Sequence, residues 1–127
     1  MAKYADIIEI VAPDKALGGD RVDITVKIKN LYSSTIGIMV DGALEYGVTP
    51  WPGIEFPTSW ANVPGWATQS FNGYFTMPDR DVKLHAYSYY YAADSYWYFD
   101  DEMTKVVNLA ALTPKVSEFK ILDFKKV

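Results

Sequence analysis

FNGYFTMPDRDVKLHAYSYYYAADSYWYFDDEMTKVVNL, residues 71–109, reads as three successive strands. Phe71–Met77 runs into a Met77-Pro78-Asp79 turn, Val82–Tyr91 follows, and a second short turn leads into Tyr96–Leu109. Val82, Leu84 and Ala86 alternate with Lys83, His85 and Tyr87, the period of two that marks a strand with one buried face. The same alternation puts Tyr87, Tyr89 and Tyr91 on the opposite, outer face. The period slips around Asp100-Asp101-Glu102, which predicts a bulge or the exit from the sheet at that point.

Upstream of this hairpin the pattern is also one of strands. Tyr4–Val11 is apolar and β-branched, and Ala12-Pro13-Asp14 stops it. Lys15–Asp20 reads as a turn. Val22, Ile24, Val26 and Ile28 then alternate cleanly with Asp23, Thr25, Lys27 and Lys29. In Ile36–Tyr46 the residues Ile36, Ile38, Val40, Leu44 and Tyr46 share a face, with a bend or bulge expected at Asp41-Gly42. Gly47–Trp66 differs in character, carrying Pro50, Pro52, Pro57 and Pro64 together with Trp51, Trp60 and Trp66. Proline removes a ladder donor, so this segment predicts a long excursion with one short edge strand near Glu55–Ala61. Its tryptophans suggest that it is packed down. Thr68–Met77 resumes the alternation, with Phe71, Gly73, Phe75 and Met77 on one face. No window shows helical spacing with caps.

The totals narrow the function classes. A chain of 127 residues is the size of one domain with a real core. Without cysteine there is no disulfide or thiolate chemistry. A net charge of −4 argues against a nucleic-acid partner, which needs a basic footprint. No apolar run is long enough for a membrane span. Residues 1–6 lack an apolar segment, so a cleavable secretory signal is not expected.

Seven or eight strands with closely spaced turns and no helix predict an all-β chain, an antiparallel β-sandwich. Gly19-Asp20-Arg21-Val22-Asp23-Ile24-Thr25-Val26-Lys27-Ile28-Lys29-Asn30 resembles the second strand of prokaryotic immunoglobulin-like domains of the CARDB and fibronectin-III-like kind. Phe75-Thr76-Met77-Pro78-Asp79-Arg80-Asp81-Val82-Lys83-Leu84 is similar to the F-x-M-P-x-x-D-V-x-L turn of bacterial and viral surface repeats of that fold. The resemblance implies an immunoglobulin-like sandwich over residues 1–113. Similar small chains occur in surface layers, adhesins, phage tails and archaeal virus particles, which implies a virion or extracellular surface location. Val116–Val127 then reads as an extra C-terminal strand after a linker at Pro114. It closes its own sheet or is exchanged between subunits, with Phe119, Ile121 and Phe124 as its contact residues.

Candidate chemistry is sparse. His85 is the one histidine, and nothing in the sequence marks a nucleophile beside it; a partly exposed strand histidine facing Lys83 and Tyr87 is the expectation. Asp100 and Asp101 are strand neighbours, expected to point to opposite faces rather than to share a substrate. The acidic turns lack an EF-hand loop, so solvated charges are expected there instead of calcium. A single histidine without cysteine rules out zinc in practice. No catalytic residue, cofactor or metal is expected. The aromatic residues are the functional lead: Tyr87, Tyr89 and Tyr91 with Trp51, Trp60 and Trp66, as hot spots of a protein interface or as rings that stack on sugars. The sequence therefore predicts a non-enzymatic assembly protein that contacts copies of itself or other structural subunits. Its alternative is a carbohydrate-binding module using the exposed Trp and Tyr residues.

Overall fold

The computed structural model describes residues 2–111. Eight strands follow in order: β1 (Ala5–Val11), β2 (Lys15–Ala16), β3 (Arg21–Asn30), β4 (Ile36–Glu45), β5 (Trp60–Val63), β6 (Thr68–Thr76), β7 (Val82–Tyr91) and β8 (Trp97–Leu109). They form two sheets, β1-β3-β6 and β2-β8-β7-β4-β5, packed face to face. The alternating residues meet where expected: Val22, Ile24, Val26 and Ile28 of β3 and Phe71 and Phe75 of β6 face Ile38, Val40 and Leu44 of β4 and Val82, Leu84 and Ala86 of β7. Burying these side chains, at about 1.5–3 kcal/mol each, is what orders the sandwich. The expected extra strand, with Phe119, Ile121 and Phe124, lies outside the described residues.

Two local expectations are corrected. Lys15–Ala16 is a short strand rather than part of a turn, and it pairs in parallel with Asn108–Leu109 of β8. The β4–β7 register runs without interruption through Asp41 and Gly42, so there is no bulge there. Gly42 is needed for another reason: a Cβ on it would come within 2.8 Å of Ile54 Cδ1 and 3.3 Å of the Phe56 ring. Gly73, on β6 in the other sheet, makes the same allowance, since its Cβ would lie 2.7 Å from Phe56.

Those two side chains belong to the proline-rich excursion, which runs as a strap across one edge of the sandwich. Pro52 accepts from Leu44 N (2.8 Å) and Ile54 N donates to Gly42 O (3.0 Å), both on β4. One residue later, Glu55 and Tyr74 of β6 exchange bonds of 3.0 and 2.9 Å, so the strap joins both sheets. Proline is tolerated because Pro52 contributes a carbonyl, not the donor that it lacks. Ile54 and Phe56, not the tryptophans, hold the strap down.

The opposite edge is closed by side chains. The β7–β8 register shifts between Ser88 and Tyr89, which pair with Asp101 and Phe99 and leave Asp100 as the extra residue. This bulge lets both carboxylates reach the edge of β1 that has no partner strand among the described residues, contrary to the expectation that neighbours diverge. Asp100 accepts from Lys3 N (2.7 Å), Tyr4 N (2.8 Å) and Ala5 N (2.6 Å). Asp101 accepts from Ile7 N at 3.0 Å, and the buried Ser88 hydroxyl donates to Ala5 O at 2.6 Å. Carboxylates and a hydroxyl thus satisfy these backbone groups of β1, as a neighbouring strand would.

Asp100→Ala is expected to cost on the order of 2–3 kcal/mol, because it leaves three edge amides without their acceptor. A lower urea midpoint at unchanged slope, with faster hydrogen exchange at Tyr4 and Ala5, is the readout.

Asp6 sits beside these acids. Burial first, then the charges of Asp101 and Asp100, raise its carboxyl above the ordinary 3.8, with Lys29 pulling the other way. A raised folded value means that its favourable contribution is complete at low pH and is lost as pH rises through the folded titration. Asp6→Asn should therefore be more stable than the parent at pH 7. That advantage should shrink as pH falls below the ordinary carboxyl value, as paired urea melts at pH 7 and pH 3 will show.

Candidate functional site

The sheet register places the outer face of the five-stranded sheet residue by residue. Trp97 pairs with Tyr91, and Gly37 pairs with Asn62, so one row across the strands at the hairpin end is Trp97, Tyr91, Gly37, Asn62. The next row is Phe99, Tyr89, Met39, Trp60, joined by the pairs Tyr89–Phe99, Met39–Tyr89 and Met39–Trp60. Below the bulge come Glu102, Tyr87 and Asp41, and then Thr104, His85 and Ala43. An antiparallel sheet brings such cross-strand neighbours to within about 5 Å, so rings in one row touch.

They touch edge to face. Tyr91 and Trp97 have centroids 5.0 Å apart at 62°, Trp60 and Trp97 6.3 Å at 63°, and Tyr89 and Phe99 5.9 Å at 74°. Tyr87 meets the same Phe99 at 6.2 Å. Edge-to-face contact fits the ring quadrupole and leaves ring faces turned to solvent. Trp60 remains 53% exposed, Phe99 56% and Tyr91 43%. Burial first, then Glu102, raises the Tyr87 hydroxyl above its usual value; burial first, then Asp41, does the same for Tyr89. Both therefore stay neutral phenols, able to donate and accept. Tyr90, of the other parity, turns inward onto Tyr4 (4.8 Å).

Of the residues singled out in the sequence, Tyr87, Tyr89, Tyr91 and Trp60 are thus brought together on one face. Trp51 lies over the same face lower down, stacked on His85 at 4.6 Å and 26°. Trp66 stands apart on the β5–β6 turn, where its backbone takes a φ of 66°. All three tryptophans are exposed, which corrects the expectation that they pin the excursion. Trp97, Phe99, Met39, Asn62 and Gly37 were not singled out as site residues. The aromatic run signalled the first two, but only the strand pairing could find the others.

His85 is not the partly exposed residue expected. It is 8% exposed, with Nδ1 2.7 Å from Glu102 Oε2 and Nε2 2.8 Å from Glu45 Oε1. Both nitrogens are engaged and Trp51 covers the ring, so no nitrogen is left to move a proton on a substrate. The acidic turns make structural bonds: Asp81 accepts from Leu109 N (2.7 Å), and Asp94 from Tyr96 N (3.1 Å) and the Tyr98 hydroxyl. Among the described residues, no three His, Asp or Glu side chains converge as metal ligands.

A cleft of about 440 Å³ opens at the hairpin end of this face, lined by Gly37, Met39, Trp60, Asn62, Tyr91 and Trp97.

No family model and no curated protein matches the sequence. Solved structures do match it in shape. The CARDB domain of a Pyrococcus furiosus protein, solved in complex with di-metal ions, superposes with a TM-score of 0.61 at 12% identity, over 87% of this chain and 92% of that one. The fold is immunoglobulin-like. A stretch of Escherichia coli alpha-2-macroglobulin also gives 0.61, at 15% identity over 87% of this chain and 17% of that one. The Pseudomonas fluorescens alkylpurine DNA glycosylase AlkC gives 0.61 at 12% identity over 85% of this chain. This chain spans only 31% of that glycosylase. At such identities the likeness is one of fold.

His85→Ala should lower stability by about 1–2 kcal/mol, by removing two charge-assisted hydrogen bonds and leaving Glu45 and Glu102 facing each other. Release of Trp51 from its stack should change its fluorescence in the same variant, measured beside the urea melt.

Proposed function

We propose that this chain is a non-enzymatic structural module, a component of a virion or cell surface that makes protein–protein contacts through the outer face of its five-stranded sheet. The observation that carries the reading is the aromatic end of the β7–β8 hairpin. Tyr96 is 69% exposed at its tip, and Phe99, 56% exposed and in contact with Tyr89, continues the outer face with the exposed Tyr91. Contiguous apolar surface of this kind is uncommon on monomers unless something docks on it. Tyr and Trp carry most of the binding energy where it does. The engaged nitrogens of His85 support a role without catalysis. So does the fold, which small interaction domains share, although fold by itself does not assign a function.

The partners in this reading are further copies of the chain or other structural subunits. The residue pattern of 116–127 agrees with it, because a strand-patterned segment following a complete sandwich has the means to add main-chain hydrogen bonds to a neighbour's edge.

Size-exclusion chromatography with light scattering over a concentration series tests the proposal. The parent should associate as concentration rises, and the double variant Tyr96→Ser, Phe99→Ser should shift the curve at least tenfold towards monomer. Deletion of residues 114–127 should weaken association further. A parent that stays monomeric at high concentration and captures no structural subunit would sink the reading.

A further inference from the structure

The cleft beside Trp60 has a chemistry of its own. We propose that it is a subsite for a neutral sugar ring, with Trp60, Tyr91 and Trp97 as the stacking walls and Asn62 as the hydroxyl-reading group. This goes beyond the assembly reading and shares with it only the premise that the outer face is a contact surface.

The walls come first. Trp60 and Trp97 meet at 63° and Tyr91 and Trp97 at 62°, so the three rings enclose a space instead of stacking on one another. A pyranose has a face of C–H bonds carrying partial positive charge, which suits the negative face of an indole or phenol. The same rings offer no hydrogen-bond pattern across their faces, so they orient a sugar without reading its hydroxyls.

Reading falls to Asn62. Its exposed carboxamide stands on β5, on the same face as Trp60 two residues earlier, and closes the row Trp97, Tyr91, Gly37, Asn62. A carboxamide carries two donors and an acceptor, which matches two adjacent hydroxyls that each do both. None of the six lining side chains is charged, so the cleft selects against neither sign and favours a neutral ligand.

The floor is the independent observation. Gly37 lies within β4, paired with Asn62 of β5, where glycine weakens a strand relative to alanine. A Cβ there would lie 3.1 Å from Tyr91 Cβ, 3.3 Å from Trp97 Cη2 and 3.8 Å from Asn62 Oδ1. The missing side chain therefore lets the walls close in and leaves bare backbone at the bottom. The cleft measures about 440 Å³. That is within the range of small-molecule sites, roughly one or two sugar rings. A proline-rich peptide also favours Trp and Tyr walls, but it reads a run of successive pockets along a groove, and this is a single cleft.

The test uses the full chain titrated with soluble neutral gluco-, manno-, galacto-, xylo- and N-acetylglucosamine oligosaccharides, and separately with decaproline. Tryptophan fluorescence and the NMR signals of the Asn62 side-chain amide report binding, and light scattering is recorded on the same samples. At least one oligosaccharide class should bind saturably and shift the Asn62 signals. Trp60→Ala should abolish this and Asn62→Ala should weaken it about tenfold or more. Gly37→Val should block it by filling the floor. Tyr96→Ser with Phe99→Ser, which addresses assembly, should leave it unchanged. Thermal melts identify any variant that has lost its fold, and the two milder substitutions carry the test if Trp60→Ala is one of them. No saturable binding by any class, binding indifferent to Trp60→Ala and Asn62→Ala, or decaproline bound at the cleft in place of sugars would overturn the proposal. Loss of self-association with sugar binding intact would overturn only the assembly reading.

Discussion

One extra residue in β8 sets both faces of the five-stranded sheet. Ahead of the bulge Trp97 and Phe99 face outward; beyond it Glu102 and Thr104 do. Without the shift, the strict alternation of a strand would have carried Asp101 outward and Glu102 into the core. The bulge instead turns Asp100 and Asp101 towards the amides of β1 and delivers Glu102 to the ring of His85. The closed edge, the aromatic rows and the buried histidine therefore share a single cause.

The other edge shows a different solution to the same problem. A sandwich has sheet edges whose unpaired groups must be satisfied or protected. The strap from Pro52 to Phe56 does this for β4 and for β6 together, bonding one sheet at Ile54 and the other at Glu55. It fits only because Gly42 and Gly73 leave room on facing sheets for Ile54 and Phe56. With those apolar residues holding the strap, Trp51 and Trp60 are free to project over the outer face. Asn30 adds a third tie: buried between the sheets, its carboxamide donates to Ser34 O and Val63 O, both at 2.9 Å, and accepts from Tyr32 N at 2.8 Å.

The chemistry of the outer face changes along its length. Near the strap it is polar, with Glu45 and Glu102 hydrogen-bonded to the two ring nitrogens of His85 under Trp51. Towards the hairpin end it becomes aromatic and uncharged. Trp97 lines the Trp60 cleft, and Tyr96 and Phe99 do not.

By itself the sequence determined the strands and the inward residues, because burying one face of a strand leaves a period of two that local reading detects. Val22–Ile28, Val82–Ala86 and the alternation through Phe71 and Phe75 stand as read, and so does the slip near Asp100. It also determined that Tyr87, Tyr89 and Tyr91 face outward, since parity follows once one residue is known to be buried. Tertiary structure alone decided what lies beside them. Asn62 and Gly37 enter the site through the β4–β5 register, and Glu45 reaches His85 over a separation of 40 residues. The edge role of Asp100 and Asp101 exists only because β1 is there to be capped. Pairing between strands distant in the chain leaves no periodic trace in either strand, so only the folded sheet could show which side chains share a row.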